Sequence, residues 1–169
     1  NRLILKLEKK VLSQLDFYHG DVKMPKGFEI DRVSLAIDIF KSQICQMNFN
    51  FSRPLDMLNK YIMEYFELNF KNKIFNTSHF GKIYYPNQSS FPILKSSDCS
   101  YVMLYCIKIE PESSFLRMFY DDKQNKDNWW DIPLEDNKFI MIPSFLNYFI
   151  SPNKSDDMNI ILTIKYESK

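Results

Sequence analysis

The spacing of the apolar residues changes near residue 72, and this change predicts helices first and β-structure after. Over residues 53–70 the apolar side chains recur every three or four positions, which predicts an amphipathic helix. Ser52 and Pro54 fit its start, as an N-cap and a first-turn proline. Asp31 is the predicted cap of a second helix, whose apolar residues are Val33, Ala36, Ile37, Phe40 and Ile44. Residues 3–16 fit either a third helix or an entry strand.

Beyond residue 72, short runs rich in β-formers alternate with Pro, Asn, Asp and Ser turns. The predicted strands are 82–85, 101–110, 115–120, 138–142, 146–150 and 159–166. In 101–109 the residues of both parities are apolar, which is typical of a strand covered on both faces. We therefore predict one α+β domain over 1–169, with mainly helical support in 1–72 and a β jelly roll in 73–169.

Composition excludes several classes of function. The chain has 169 residues, 45% hydrophobic and 16% aromatic, which suffices for a real core. Its 22 basic residues against 21 acidic ones give a net charge of +1, so no basic excess favours general nucleic-acid binding. No apolar run has the length of a membrane span or a signal sequence.

The three cysteines, Cys45, Cys99 and Cys106, form no CxxC pair and are odd in number. This count predicts neither a disulfide framework nor a zinc site, and it favours a reducing compartment over secretion. Only four of the 22 basic residues are arginine, a usage typical of AT-rich genomes such as those of many viruses. The expected location is accordingly a virion or the cytoplasm.

The most polar stretch, 121–131, ends near two tryptophans, Trp129 and Trp130. The simplest interpretation is a surface loop that these two rings anchor to the sandwich. The alternative is a contact with a partner protein, because exposed Trp is enriched in interface hot spots.

A longer C-terminal stretch carries a family resemblance. Residues 132–153 read IPLEDNKFIMIPSFLNYFISPN. This resembles the motif P-x-x-G-x-hydrophobic-hydrophobic-F-P-S-W-L-x-H-x-V-x-P-N of the phage and marine-bacterial branch of iron(II)/2-oxoglutarate-dependent oxygenases. Weaker matches are residues 82–87 (KIYYPN), 100–108 (SYVMLYCIK), 111–113 (PES) and 119–121 (FYD). The resemblance begins near Phe75, covers roughly half of the chain, and implies a double-stranded β-helix, or jelly roll.

The same resemblance implies a degenerate site. The family binds iron through two His and one carboxylate and holds 2-oxoglutarate with an Arg. Carried over, the first-ligand motif falls at Pro92 and Leu94, the other His at Tyr148, and the Arg at Asn159 or Met158. None of these residues can replace the family's metal ligands or its Arg for 2-oxoglutarate, so the resemblance implies a jelly roll without iron or another cofactor.

One alternative site remains open, because His19-Gly20-Asp21 is an H-x-D sequence and His79 follows it. A triad of His19, Asp21 and His79 would make the chain an active hydroxylase that uses iron(II) and 2-oxoglutarate. The simpler interpretation is a surface turn over 18–21 and an isolated His79 near the start of a strand.

Three functions therefore compete. The first is a non-catalytic structural or interaction component of a larger assembly, such as the head, neck or tail of a virion. Its partners would be protein subunits, including other copies of the chain, and neither a membrane nor nucleic acid in general. The second is the active hydroxylase. The third is a metal-free pocket for a small molecule or glycan, lined by Tyr148, Tyr105, Phe119 and Trp130.

Overall fold

A computed structural model describes residues 19–20, 32, 35–37, 39, 52–71, 73–90, 99–119, 129–144 and 146–168. Its one fully described helix is α1 (Ser52–Phe70), and residues 32, 35–37 and 39 are also helical. The strands are β1 (His19–Gly20), β2 (Ile74–Tyr84), β3 (Tyr101–Lys108), β4 (Phe115–Phe119), β5 (Trp129–Pro133), β6 (Phe139–Pro143), β7 (Asn147–Ile150) and β8 (Asn159–Ser168). No helix in these ranges has the length and apolar content needed to cross a membrane.

The strands form two antiparallel sheets. The large sheet has the order β1-β6-β3-β8-β2, and the small sheet has the order β5-β4-β7. Neighbouring strands of the large sheet come from distant parts of the chain, as in the pairing of β2 with β8, whereas β4 and β5 of the small sheet are consecutive in sequence. The predicted α+β class, with helices before a β-sandwich, is confirmed.

Two apolar layers hold the sheets in place. The interior between the two sheets is lined by Val102, Leu104, Cys106, Leu116, Met118, Ile140, Ile142, Tyr148, Ile150 and Ile161. The outer face of the large sheet packs against helical residues, which are Leu35, Ile39, Leu58, Ile62 and Phe66. Alternate residues of β3 contribute to the two layers, so the prediction that this strand is covered on both faces is confirmed.

The helices press closely on β2. Leu58, Ile62 and Phe66 recur every four positions and form the buried face of α1, as the predicted amphipathic spacing requires. At Gly81 of β2, a Cβ atom would overlap the branched side chain of Ile39. Glycine therefore permits the close approach of a helical residue to the sheet at this position.

The observed elements correct several predictions. The strand β5 occupies the end of the segment predicted to be a surface loop, because its backbone pairs with β4 and the exposed Asp131 forms an ion pair with Arg117 across this ladder. Strand β2 begins at Ile74 and not at residue 82, since its polar residues near Asn76 are accommodated by a bulge opposite β8.

The N-terminal predictions have a mixed outcome. His19 and Gly20, predicted to lie in a turn, form a short strand beside β6, because backbone pairing with Ile140 and Phe139 outweighs the local turn preference. Ala36 and Ile37 are helical, as predicted. The N-terminal predicted positions that lie outside the described residues are Asp31, Val33, Phe40, Ile44, Cys45 and the segment 3–16.

Candidate functional site

The corner between β7 and β8 contains three described positions at which the resemblance implies a metal ligand or the 2-oxoglutarate Arg, namely Tyr148, Asn159 and the alternative to Asn159, Met158. Tyr148 lies on β7, is 3% exposed and faces the apolar interior between the sheets. It lies near Tyr84, whose phenol pKa is raised by burial and further by Tyr148. Burial in this apolar environment therefore disfavours charge on the Tyr84 hydroxyl.

Asn159, at the start of β8, occupies the implied position of the 2-oxoglutarate Arg. Its side chain is 1% exposed, and both ends of the amide are bonded within the fold. The Glu110 backbone N–H donates to Oδ1 at 2.8 Å, and Nδ2 donates to Ser113 Oγ at 2.9 Å. This neutral side chain joins the end of β3 to the following turn and offers no cation to a carboxylate.

Asn153, the last residue of the stretch that resembles the family motif, has a structural role. Asn153 is fully buried, and its Nδ2 donates to the carbonyls of Tyr84 at 3.0 Å and Asp157 at 2.7 Å. Its Oδ1 accepts from the backbone N–H of Ser155 at 3.0 Å. These bonds fix the loop between β7 and β8 against the end of β2, so Asn153 stabilises this corner of the fold.

The interior also holds a buried thiol. Cys106 lies on β3 among apolar side chains, and burial raises its pKa to about 12. The group therefore remains a neutral thiol at neutral pH, and it is neither a nucleophile nor an anionic metal ligand there.

Several predicted site residues lie where the structure gives no account of their side chains. Pro92, Leu94 and Asp21 are outside the described residues, and only the backbones of His19 and Trp130 are described. Within the described ranges, no group of three or more His, Cys, Asp or Glu residues could hold a metal ion. Tyr148 and Asn159 likewise do not fit the iron and 2-oxoglutarate of the oxygenases.

The strand order separates the two histidines of the alternative triad. His19 is on β1 and His79 is on β2, at opposite ends of the five-stranded order. Four strand spacings of about 4.8 Å give a backbone separation of about 19 Å. A shared metal requires both ring nitrogens to lie about 2 Å from one ion, so the described backbone does not bring these two residues together.

His79 also faces away from the sandwich interior. It is the sixth residue of β2 and lies on the same face as Gly81, which faces Ile39 of the helical layer. Its pKa is lowered by burial, and Asp56 on α1 partly opposes this shift. The expectation of a histidine near a strand start is therefore corrected: His79 lies well inside β2, in the helix-facing layer.

The residues proposed to line a metal-free pocket do not converge. Tyr148 faces the interior, whereas Tyr105 lies in the layer between the large sheet and the helices. Phe119 stacks on Phe149 at 6.1 Å and belongs to the outer face of the small sheet, since the alternate residue Met118 faces inward. Alternation along the strands directs these three side chains to three different faces, so the predicted pocket is wrong.

Sequence reasoning missed the character of the small sheet's outer face. Arg117 is bonded to Asp131 through Nε at 2.8 Å and through a second nitrogen at 3.0 Å. Its guanidinium also lies 4.7 Å from the Trp129 ring centre. Trp129 is 37% exposed. Alternating aromatic residues in β4 are the signal that could have found this face.

Comparisons with known proteins show the fold. No family model matches the chain, and no curated protein matches it. Among solved structures, it is similar to a Pseudomonas putida prolyl-4-hydroxylase, with 12% identity, a TM-score of 0.60 and 84% of each chain covered. HygX from Streptomyces hygroscopicus, solved with nickel and 2-oxoglutarate bound, has 10% identity and a TM-score of 0.55, covering 85% of this chain and 80% of HygX.

A third similar structure is an oxidoreductase of the 2OG-Fe(II) oxygenase family from Burkholderia pseudomallei. It has 7% identity and a TM-score of 0.57, covering 72% of this chain and 61% of its own. The chain thus has an oxygenase-like jelly-roll fold, as its sequence predicts. At such low identity the comparisons establish the fold alone, because one fold serves many chemistries.

Proposed function

We propose that this chain is a degenerate, non-catalytic jelly roll of the phage and marine-bacterial oxygenase type. In this proposal it serves as a structural or interaction component of a larger assembly, in a virion or in the cytoplasm. Its partners are protein subunits, which include further copies of the chain, and it uses neither iron nor 2-oxoglutarate. A head, neck or tail subunit of a virion is the specific form of the proposal.

The observation that carries the proposal is the burial of Tyr148 in the apolar interior, at the implied position of a metal-binding His. A phenol in such surroundings is a poorer iron(II) ligand than the family's His, whose neutral imidazole nitrogen coordinates metal directly. The side chain instead packs in the apolar cluster between the sheets.

The bonding of Asn159 supports the same proposal independently. A 2-oxoglutarate carboxylate needs a cation in a bidentate geometry, and an amide satisfied by Glu110 and Ser113 supplies none. The nearby Lys108 is paired with Glu110 and Asp157, each at 3.1 Å. Metal and co-substrate positions have thus both been replaced by groups that stabilise the fold.

The proposed interaction role is supported by the aromatic outer face of the small sheet. Arg, Trp and other aromatic residues are enriched at protein interfaces and at their hot spots. Arg117 and Trp129 lie together on this face, and Trp129 is partly exposed. The assembly role remains an analogy at the level of the fold, since jelly rolls recur in capsid proteins.

The test is an anaerobic titration of the purified chain with iron(II) in the presence of 2-oxoglutarate, monitored by the metal-to-ligand charge-transfer band. The prolyl-4-hydroxylase from Pseudomonas putida serves as the positive control. We expect no band from this chain at equimolar iron. His79→Ala and Tyr148→Phe are titrated in parallel.

A band in the unmodified chain would overturn the non-catalytic proposal. Its loss in His79→Ala would point to the alternative triad, whereas its loss in Tyr148→Phe would mean that the phenol binds the metal. A band that survives both substitutions would place the ligands among other residues. Each of these outcomes contradicts the proposal, and a flat titration beside a responding control supports it.

A further inference from the structure

The outer face of the small sheet carries a compact aromatic surface. We call the aromatic face the aromatic residues of β4, β5 and β7 that point away from the interior, together with the ion pair that lies among them. Its members are Phe115, Arg117, Phe119, Trp129, Asp131 and Phe149. The opposite face of the same strands is buried against the large sheet, so both faces of this small sheet are apolar.

The rings of the aromatic face are tilted against one another and do not form a flat platform. Phe149 meets Phe115 edge-on, with ring centres 6.5 Å apart and planes at 64°. It is stacked against Phe119, and the centres of these two rings are 6.1 Å apart. Side chains on a strand stand roughly perpendicular to the sheet, so these rings expose edges and the spaces between them.

The aromatic face carries no uncompensated charge. Its one cation, Arg117, is held by Asp131 in a bidentate ion pair. The guanidinium also stacks within 5.2 Å of Phe115, 4.7 Å of Trp129 and 5.7 Å of Phe149. An occupant that matches this face is therefore apolar and uncharged, since a charged one would compete with the pair.

Trp129 supplies a hydrogen-bond donor at the edge of the face. The ring is 37% exposed, and no hydrogen bond joins its indole N–H to another described residue. A partly buried indole N–H usually finds an acceptor when a partner covers it. An occupant with free carbonyl groups would satisfy this donor.

A small pocket extends the face at the opposite end of β4. It has a volume of about 260 Å³ and is lined by Glu112, Ser113, Ser114, Phe115, Pro133 and Lys154. Phe115 belongs to both the pocket and the aromatic face, so the two are continuous. Glu112 and Lys154 bring one charge of each sign to the pocket lining, so its formal charge is zero and an extended occupant can place one uncharged side chain there.

The size of the face limits the occupant. Five residues of β4 at about 3.3 Å each, across three strands about 4.8 Å apart, give a footprint of about 240 Å². A stable interface between two folded proteins covers about 800 Å² on each partner. The aromatic face alone is too small for a second copy of the chain, and it suits a short linear segment.

We propose that the aromatic face and its adjoining pocket bind an extended, uncharged, proline-rich peptide segment of a partner protein. In the polyproline II conformation such a segment has no internal hydrogen bonds, so its carbonyls are free to accept from Trp129. Its pyrrolidine rings pack against aromatic side chains, and its preformed shape lowers the entropy lost on binding. This inference deepens the proposed interaction role and rests on it.

The test uses the intact chain and isothermal titration calorimetry with decaproline as the probe. A glycine–serine peptide of equal length is the control peptide, and cellohexaose tests whether the rings instead bind a sugar. We expect saturable binding of decaproline with a Kd of about 1 mM or below, and no binding of the other two probes. Size-exclusion chromatography with light scattering at the same concentrations reports any self-association.

Three variants locate the binding. Trp129→Ala should weaken decaproline binding at least about fivefold, whereas Trp129→Phe, which keeps a ring and loses the donor, should weaken it less. Phe80→Ala is the matched control, because Phe80 is also exposed, at 47%, but lies on β2 of the large sheet. Thermal unfolding verifies that each variant is folded, and Trp129→Phe keeps the test valid if Trp129→Ala is not.

Absence of saturation, or equal affinity in Trp129→Ala and the unmodified chain, would overturn the inference. Binding of cellohexaose that is lost in Trp129→Ala would replace the peptide with a glycan. A dimer dissolved by Trp129→Ala would replace it with a second copy. An iron band in the earlier titration would overturn the non-catalytic proposal without affecting these results, so the two failures are distinguishable.

Discussion

The outer faces of the two sheets are both apolar, yet only one is covered by a full layer of the described chain. The large sheet presents residues such as Met103 and Leu162 to the helices, and these side chains are fully buried. The small sheet presents Phe115, Phe119 and Phe149, which are only half-buried. One face therefore serves the stability of the fold, and the other remains available at the surface.

This difference teaches how an apolar sheet face can remain stable in water. On the large sheet, apolar contact with the helices removes the surface from solvent. On the small sheet, Arg117 lies over three aromatic rings and keeps its charge paired with Asp131. A stacked guanidinium covers part of the aromatic surface and remains hydrated at its edge, which reduces the cost of exposure.

The largest predicted effect is the difference in stability loss between two Phe→Ala variants, one on the outer face of each sheet. Phe66 of α1 is 1% exposed and packs edge-on against Tyr101 at 5.6 Å. Phe66→Ala should lower the free energy of unfolding by about 3 to 5 kcal/mol, because it leaves a cavity in a closed layer. Phe149→Ala should cost only about 1 kcal/mol, since its half-exposed ring gains less from burial. Urea denaturation of both variants measures the difference.

Equal losses in the two variants would mean that the outer face of the small sheet is as fully packed as the helical layer. That result would also remove the physical basis for treating the aromatic face as a binding surface. A change in the denaturant slope without a change in midpoint would instead indicate that one substitution altered the denatured state.

A smaller effect is expected where the helical layer touches β2. Gly81→Ala adds a methyl group that overlaps the side chain of Ile39, so it should cost about 1 to 3 kcal/mol. The double variant Gly81→Ala with Ile39→Ala should lose less than the sum of the two single variants, because the smaller side chain makes room. Additive losses would show that the helical residue does not press on the sheet as described.

The apolar pattern of the sequence predicted those features of the fold that depend on local periodicity. The start of α1 at Ser52 and the two-sided burial of β3 follow from the apolar spacing and the N-cap residues alone. Strand β5 was missed because its stability depends on pairing with β4, including the ion pair of Asp131 with Arg117. Such a contact has no local signal in a polar segment.

The candidate site was predictable only in part. The resemblance placed Tyr148 and Asn159 on strands that the structure describes as β7 and β8. It gave no reason for the retained Asn153, whose amide bonds the distant carbonyl of Tyr84. The aromatic face was likewise beyond a reading of the 121–131 segment, because it is assembled from three strands that meet only in the folded sheet.

The smallest predicted effect is a pH dependence that belongs to the helical layer. Burial holds the pKa of His79 below its usual value of 6.5, with Asp56 acting in the opposite sense. The unfolded chain therefore binds a proton at His79 more readily than the folded chain does. The stability that neutral His79 permits is complete above pH 6.5 and is lost as the pH falls from there through the lowered pKa.

Relative to His79→Gln, the unmodified chain should lose stability when acidified from about pH 7 to pH 5, and this loss should be deeper in Asp56→Asn. Denaturant midpoints at each pH measure it, and titration of the other groups largely cancels in the difference between variants. A relative gain of stability on acidification would mean that Asp56 outweighs burial, and His79 would then be a charged group of the interface between α1 and β2. The paired Arg117 on the aromatic face should show no such dependence over this range, because its pKa is raised by Asp131 from an already high value.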